Sequence, residues 1–323
     1  MKHLYDIFYK ALEENSAAKL PFNLYEPVDY LMQLGGKRVR PVLCLIGCEM
    51  FDGNLPKAIP PAMGIEYFHN FTLAHDDIMD AAPLRRGKAT MHTKYNTNTA
   101  ILSGDVMFAK SYQFMCQVDS SLLAPVLQVF NQTAVEVCEG QQYDMDFETM
   151  SVNDVAVSDY LKMIELKTAV LIAASLKIGA LVGGASPSEA QSLYEFGRLA
   201  GIAFQLQDDI LDTYGTSANF GKQIGGDIIQ NKKTYLLLQA VELADEKKMK
   251  KILHYLSLQD FDKIEKIAAI KKIFNSLMIK QKAEELMETY YEKACNHLDA
   301  INLSMTKKQS LVAFIDYLMK RNQ

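Results

Sequence analysis

The chain has 323 residues, 49% of them hydrophobic, with 34 Lys and Arg against 39 Asp and Glu and a net charge of -5. That charge balance excludes the basic footprint of a general nucleic-acid binder, while the hydrophobic fraction is enough for a substantial core. No Gly/Ser/Pro-rich linker, low-complexity tract or shift in composition marks an internal boundary, so residues 1–323 are expected to form a single domain.

The N-terminus, Met1-Lys2-His3-Leu4-Tyr5-Asp6, lacks the apolar region of a signal peptide. Gly35-Gly36-Lys37-Arg38-Val39-Arg40-Pro41 then puts three cations beside flexible glycines, which could bring backbone N–H groups to phosphate oxygens. Cys44 and Cys48 lie four apart and share a face of a predicted helix. With Cys116, Cys138 and Cys295 they form an odd set whose spacings fit no zinc pattern, so they read as buried reduced thiols of a cytoplasmic protein. Asp52-Gly53-Asn54 breaks the chain between helices. The stretch from Phe68 to His75 ends in Asp76-Asp77-Ile78-Met79-Asp80, and Arg85-Arg86-Gly87 follows after one short turn.

Further on, Leu122, Val126, Val129, Phe130, Thr133 and Val137 follow three-and-four spacing, which predicts a helix. The most apolar run, Thr168 to Ala185, is interrupted by Lys177 and several glycines. It reads as a buried core helix, not a transmembrane segment. After the break at Gly183-Gly184-Ala185-Ser186-Pro187, the segment Ile202 to Gln207 leads into Asp208-Asp209-Ile210-Leu211-Asp212. A polar loop from Thr216 to Gly226 contains Lys222, and Lys232-Lys233-Thr234 comes soon after. Helical spacing resumes with Ile273, Leu277, Ile279, Leu286 and Tyr290. No convincing series of strands and no Asn-Gly hairpin signal appears. The predicted fold class is all-α: a single-domain bundle of many long helices around a central cavity.

The repeated acidic pentapeptide carries the chemistry. Apolar helical segments do not normally end in three carboxylates, because clustered carboxylates repel and are costly to desolvate without positive charge between them. Divalent metal ions satisfy that need, and hard oxygen donors favour magnesium or manganese. At 3.6 residues per turn, Asp76 and Asp80 project on one face, as do Asp208 and Asp212, while Asp77 and Asp209 turn aside into supporting positions. A group of metal ions could hold a highly charged ligand such as a diphosphate. The scattered cations Lys37, Arg38, Arg40, Arg85, Arg86, Lys167, Lys222, Lys232 and Lys233 suit anion binding, and His69 suits phosphate donation. No serine or cysteine nucleophile has a credible base partner, and no Walker or Gly-x-Gly-x-x-Gly loop is present.

From about Gly35 to about Thr234 the sequence resembles the short-chain trans-polyprenyl diphosphate synthases, the group of farnesyl and geranylgeranyl diphosphate synthases. The resemblance rests on Gly-Gly-Lys-Arg-Val-Arg-Pro, His-Asp-Asp-Ile-Met-Asp, Leu-Arg-Arg-Gly-Lys, Glu139-Gly140-Gln141, Lys167-Thr168, Phe204-Gln205-Leu206-Gln207-Asp208-Asp209 and Gly221-Lys222, in that order. It implies an isoprenoid-synthase fold, a homodimer, and a head-to-tail prenyl transfer dependent on about three magnesium ions, with manganese as the alternative. Asp76, Asp80 and Asp208, supported by Asp77, Asp209 and Asp212, would hold those ions on an allylic diphosphate. Arg85, Lys167, Thr168, Gln205 and Lys222 would complete the allylic site. Lys37, Arg40, His69 and Arg86 would bind isopentenyl diphosphate, and Lys232 with Asp227 would close the site from the loop side. No side chain reads as a dedicated base, so the resemblance implies that the pyrophosphate product takes the proton.

The resemblance also makes product length a question of volume around Phe68, Phe71 and Thr72, the residues one and two turns before Asp76. Phe71 is bulky and Thr72 small, and no residues are inserted in the first acidic motif. C15 and C20 products stay open, with C20 favoured. A class I terpene cyclase would not need a second diphosphate site, a non-catalytic partner subunit would typically lack one acidic motif, and a phosphohydrolase would have no use for apolar walls.

Overall fold

The structure, a computed structural model, describes residues 1–16, 19–215 and 224–319, with the side chains of 317–319 excepted. Lys222 and most of the Thr216–Gly226 loop lie outside the described residues. The helices are α1 (Lys2–Glu14), α2 (Phe22–Gln33), α3 (Val39–Met50), α4 (Leu55–Met79), α5 (Met91–Lys94), α6 (Thr97–Met115), α7 (Ser120–Thr149), α8 (Val157–Ile164), α9 (Val170–Gly183) and α10 (Pro187–Tyr214). They continue with α11 (Gly226–Ile229), α12 (Tyr235–Leu243), α13 (Glu246–Ser257), α14 (Lys263–Ser276), α15 (Ile279–Asp299) and α16 (Met305–Met319). A π-helical turn, Glu165–Ala169, joins α8 to α9. The all-α expectation holds.

One element departs from it. Leu84–Arg85 (β1) and Lys88–Ala89 (β2) pair antiparallel across Arg86 and Gly87. Both turn residues have positive φ, +54° and +74°, as a type I′ hairpin requires. The turn is Arg-Gly and carries none of the Asn-Gly signal by which such a hairpin is read from sequence. The turn puts Arg85 and Arg86 directly after the first acidic motif.

By its contacts the chain divides into two compact units. The first comprises Met1–Asn131, Ala174–Tyr194 and Leu303–Leu311; the second comprises Gln132–Ala173, Glu195–Asn302 and the chain from Val312. Four of the boundaries fall inside helices (α7, α9, α10 and α16), so no linker composition marks them.

In the first unit α4 packs on α3 and α6. Its aromatic side chains build a continuous layer: Phe68 meets Phe71 at 5.7 Å, Phe108 at 6.1 Å and Phe130 at 5.3 Å between ring centres. Phe71 in turn lies 5.0 Å from Phe108 and 4.8 Å from the His75 ring. Such offset and edge-on pairs add to the burial of the rings themselves. α3 and α9 meet through small residues. A β-carbon on Gly179 would lie 2.0 Å from the Cys44 carbonyl oxygen, and one on Gly183 2.6 Å from that of Cys48. Cys44 and Cys48 are buried in this contact and unpaired, and burial raises both thiol pKa values. Cys116 and Cys138 are exposed and Cys295 half-buried, against the expectation that the thiols are buried as a set.

In the second unit, Tyr160, Met163, Ile202, Leu206, Leu236, Ile270 and Phe274 belong to one apolar core drawn from α8, α10, α12 and α14. The continuous helical stretch Val157–Gly183 is long and apolar enough to cross a membrane by composition, but its most apolar window is 72% buried within the protein. A packed core helix accounts for it, as read from the sequence.

Candidate active site

The predicted site residues form two clusters, one in each unit, and each is described by itself. In the first unit the C-terminal end of α4 carries Asp76, Asp77 and Asp80. Asp77 is buried and Asp80 exposed. Arg85, delivered by the hairpin, forks onto Asp77: its Nε donates to both carboxylate oxygens at 2.9 and 2.8 Å, and its Nη2 lies 2.7 Å from Oδ1. The same Nη2 reaches Asp76 Oδ2 at 3.4 Å. Burial alone would lower the Arg85 pKa, but the hydrogen bond and charge of Asp77, with Asp76 and Asp80, raise it above its usual value. The guanidinium is thus a permanent cation at the motif.

The glycine loop lies beside Arg86. Gly35 and Gly36 take φ of +82° and +126°, which only glycine adopts without strain. A β-carbon on Gly36 would sit 2.7 Å from the Arg86 guanidinium carbon, so the second glycine is what lets that side chain lie over the loop and donate to the Gly35 carbonyl. Tyr5 of α1 donates to the Lys37 carbonyl at 3.1 Å, pinning the loop from below; the Lys37 side chain itself is exposed.

The three loop cations, alike in sequence, have different fates. Arg38 turns inward, pairs with Glu66 of α4 and donates to the Met32 carbonyl; Asn70 completes the group by donating to Glu66 Oε1 at 2.9 Å. Arg40 instead places Nη1 3.3 Å from His69 Nε2. Burial, with Arg86 nearby and partly offset by Glu66, lowers Arg40 to about 10. His69 is held well below its usual value by burial and by Arg40, Arg86, Arg85 and Arg38 around it, so it is neutral at pH 7. A half-buried neutral imidazole under the charge of four arginines, with Arg40 beside it, is an environment suited to an anion. Thr72 donates to the His69 carbonyl at 2.8 Å, while Phe68 and Phe71 belong to the aromatic layer beneath.

In the second unit the π-turn presents Lys167 and Thr168. Its wider winding brings it against two glycines. A β-carbon on Gly140 of α7 would lie 2.2 Å from the Lys167 nitrogen, and one on Gly201 of α10 2.8 Å from the Ala169 Cα. Single π-turns of this kind recur at functional positions. Lys167 pairs with Asp144 at 2.5 Å. Thr168 Oγ1 donates to Gln205 Oε1 at 3.5 Å, Gln205 Nε2 donates to Asp209 Oδ1 at 3.3 Å, and the buried Tyr160 hydroxyl donates to Asp209 Oδ2. Burial raises the Asp209 pKa well above the usual carboxylate range, and Asp227 and Asp208 push the same way against the two hydrogen bonds. Asp208 is half-buried and Asp212 nearly buried. Asp212 accepts from the Asp227 backbone N–H at 2.9 Å, and the exposed Lys232 donates its backbone N–H to the Asp227 carbonyl at 2.9 Å.

All metal donors proposed from the sequence are carboxylates, the set that suits a hard divalent cation. Among the described residues no group of three or more His, Cys, Asp or Glu is drawn into a ready cage.

The polyprenyl synthetase family model matches residues 22–275. The chain belongs to this family. It is 36% identical over 317 residues to a geranylgeranyl diphosphate synthase of Methanosarcina mazei, covering 96% of this chain and 94% of the relative. A short chain isoprenyl diphosphate synthase of Methanothermobacter thermautotrophicus is 34% identical over 311 residues, again with 96% and 94% covered. Among solved structures, a geranylgeranyl pyrophosphate synthase superposes with a TM-score of 0.94 at 40% identity, over 100% of this chain and 99% of that one. The helical architecture is that of the family's isoprenoid-synthase fold.

For this family member the structure adds residues that sequence reasoning missed. Asp144 carried a signal: it lies four after Gly140, hence on the face that meets Lys167. Tyr160 and Glu66 carried none, because each pairs with a residue distant in sequence.

Proposed function

We propose that the protein is a prenyltransferase that condenses isopentenyl diphosphate head-to-tail with an allylic diphosphate to give a short all-trans prenyl diphosphate, C20 in length. The observation that carries this reading is the Arg40–His69–Arg86 group beside Gly35 and Gly36, in the same unit as the first acidic motif and Arg85. It is a second anion site, which an enzyme that only ionises an allylic diphosphate would not need. The names of the Methanosarcina relative and of the 40% identical structure support C20.

In this reading Asp76, Asp80 and Asp208 would hold magnesium, with Asp77, Asp209 and Asp212 as their supports. Bound magnesium supplies positive charge against the negative charge that grows on the departing pyrophosphate. Arg85, Lys167, Thr168, Gln205 and Lys222 hold the allylic diphosphate while its C–O bond breaks. Lys37, Arg40, His69 and Arg86 hold isopentenyl diphosphate so that its double bond faces the new carbocation. The apolar side chains of α4 and α6 keep water from capturing that cation. Loss of a proton to the pyrophosphate restores a double bond. Arg85, now forked on Asp77 and Asp76, is placed to exchange part of that pairing for phosphate oxygens.

The reading extends to a homodimer, supported by the exposed apolar pair Ile101 and Leu102 on α6, and to a cytoplasmic setting, supported by five unpaired cysteines. Sedimentation analysis tests the first. The activity is tested by incubating the protein with magnesium, isopentenyl diphosphate and dimethylallyl, geranyl or farnesyl diphosphate in turn, with product length read by mass spectrometry. A C20 diphosphate supports the proposal. Consumption of the allylic substrate without isopentenyl diphosphate would indicate a cyclase instead.

A further inference from the structure

Lys266, on α14, has no exposed surface and, among the described residues, no carboxylate partner. Its ammonium donates to Asn231 Oδ1 at 2.6 Å and lies 4.1 Å from the centre of the Phe261 ring. Burial holds its pKa below the ordinary lysine value. A buried cation without a counter-charge is costly, and an apolar side chain would fill the same space without that cost. Stability of the core therefore does not explain the lysine.

What it grips is a strained turn. Asn231 has φ of +56°, and its Nδ2 donates to the Leu256 carbonyl at 3.1 Å, so both ends of the amide are engaged. Non-glycine residues stay in this region only where the surroundings over-determine them. The next residue, Lys232, donates its backbone N–H to the Asp227 carbonyl, and the Asp227 N–H in turn donates to Asp212 Oδ1, both at 2.9 Å. Gly225 N–H meets the Asp212 carbonyl at 2.7 Å. A single chain of contacts thus runs from Lys266 through Asn231, Lys232 and Asp227 to the second acidic motif.

We propose that Lys266 is a positioning residue for the allylic diphosphate: by clamping Asn231 it fixes the turn that carries Lys232 and Asp227 against Asp212. The inference rests on the prenyl-transfer reading above. The test uses Lys266→Met, which keeps an unbranched side chain one atom shorter and loses the donor, and Asn231→Ala, which loses the acceptor. Each should lower kcat/KM for the allylic substrate by about 10- to 100-fold, the usual cost of removing an outer-shell support. The KM for isopentenyl diphosphate should stay within about 2-fold, because Lys37, Arg40, His69 and Arg86 belong to the other unit. Binding of inorganic pyrophosphate in the presence of magnesium, measured by calorimetry, should weaken alongside, while the melting temperature of Lys266→Met stays level or rises. The double variant should be no worse than Asn231→Ala alone. Unchanged pyrophosphate affinity in Lys266→Met, or additive effects in the double variant, would overturn the proposal. A wild-type protein without prenyl transfer would instead fault the functional reading, and pyrophosphate binding would still report on Lys266.

Discussion

Substituting Gly140 by alanine should disable the enzyme through the backbone of the π-turn. The added β-carbon would meet the Lys167 nitrogen at 2.2 Å and the Leu166 carbonyl carbon and Lys167 Cα at 2.7 Å. All three are backbone atoms, so no side-chain rotation relieves the clash. Ordinary contact begins near 3.4 Å, which leaves the turn to move by about 1 Å. Overpacking of this kind costs about 1–3 kcal/mol, and alanine's better helix propensity returns about 1 kcal/mol. The variant should therefore fold, with a melting point a few degrees lower. Lys167 and Thr168 move with the turn, and a misplacement of about 1 Å at groups that orient a reacting phosphate costs on the order of 10²-fold in turnover. Steady-state kinetics with each substrate varied in turn, alongside thermal unfolding, separates the two effects. The loss should fall on kcat and on the allylic KM, with isopentenyl diphosphate KM little changed. A folded Gly140→Ala with turnover within about 3-fold of wild type would refute the claim that the π-turn must sit where it does.

Three further outcomes follow from the same geometry. Asp76→Asn or Asp208→Asn should each lower turnover by on the order of 10²-fold or more; near-wild-type rates with added magnesium would remove the metal role. Phe71→Ala takes a ring out of the layer shared with Phe68 and Phe108 and should lengthen the product seen by mass spectrometry; an unchanged profile would assign the stop to Phe68 or Phe108. His69 has a depressed folded-state pKa, so the unfolded chain takes up a proton near pH 6.5 that the folded chain refuses. Its contribution to stability is present above that pH and is lost as pH falls towards the folded-state value. Melting temperature should decline less steeply between pH 7.5 and 5.5 in His69→Gln than in wild type, and parallel curves would contradict the assignment.

The all-α architecture and both acidic motifs were legible because they are local: helical spacing and a repeated pentapeptide are read within a few turns. The three cations Lys37, Arg38 and Arg40 could not be sorted in that way. Arg38 is consumed by Glu66, 28 residues later in the chain, and only the tertiary fold brings the two together. The left-handed φ of +45° at Arg38 aims it inward, and nothing in a Lys-Arg-Val-Arg string announces that conformation. The π-turn was hidden for a related reason. The run through Ile164, Leu166 and Ala169 is apolar enough to satisfy either winding, and the deciding constraint lies on other helices, at Gly140 and Gly201. The Arg86-Gly87 hairpin was missed because arginine is an unusual occupant of a positive-φ turn position; here its side chain is held over Gly36 and bonded to the Gly35 carbonyl.

The two acidic motifs also show how one spacing separates roles. In each, the middle aspartate is buried and already engaged by neighbours of its own unit: Asp77 by the fork of Arg85, Asp209 by Tyr160 and Gln205. Asp76 and Asp80 are more open, as is Asp208. Only Asp212 breaks the pattern, nearly buried beneath the Asp227 N–H. A carboxylate whose two oxygens both accept hydrogen bonds has little left to offer a cation, so the proposed metal contacts belong to the outer positions and the middle residue holds the helix end in place. The cations that engage or neighbour these supports, Arg85 and Lys167, are the same ones proposed to bind the allylic diphosphate. Phosphate oxygens that take over Arg85 would remove its 3.4 Å contact from Asp76, so substrate arrival and the uncovering of carboxylate charge at the first motif would be one event.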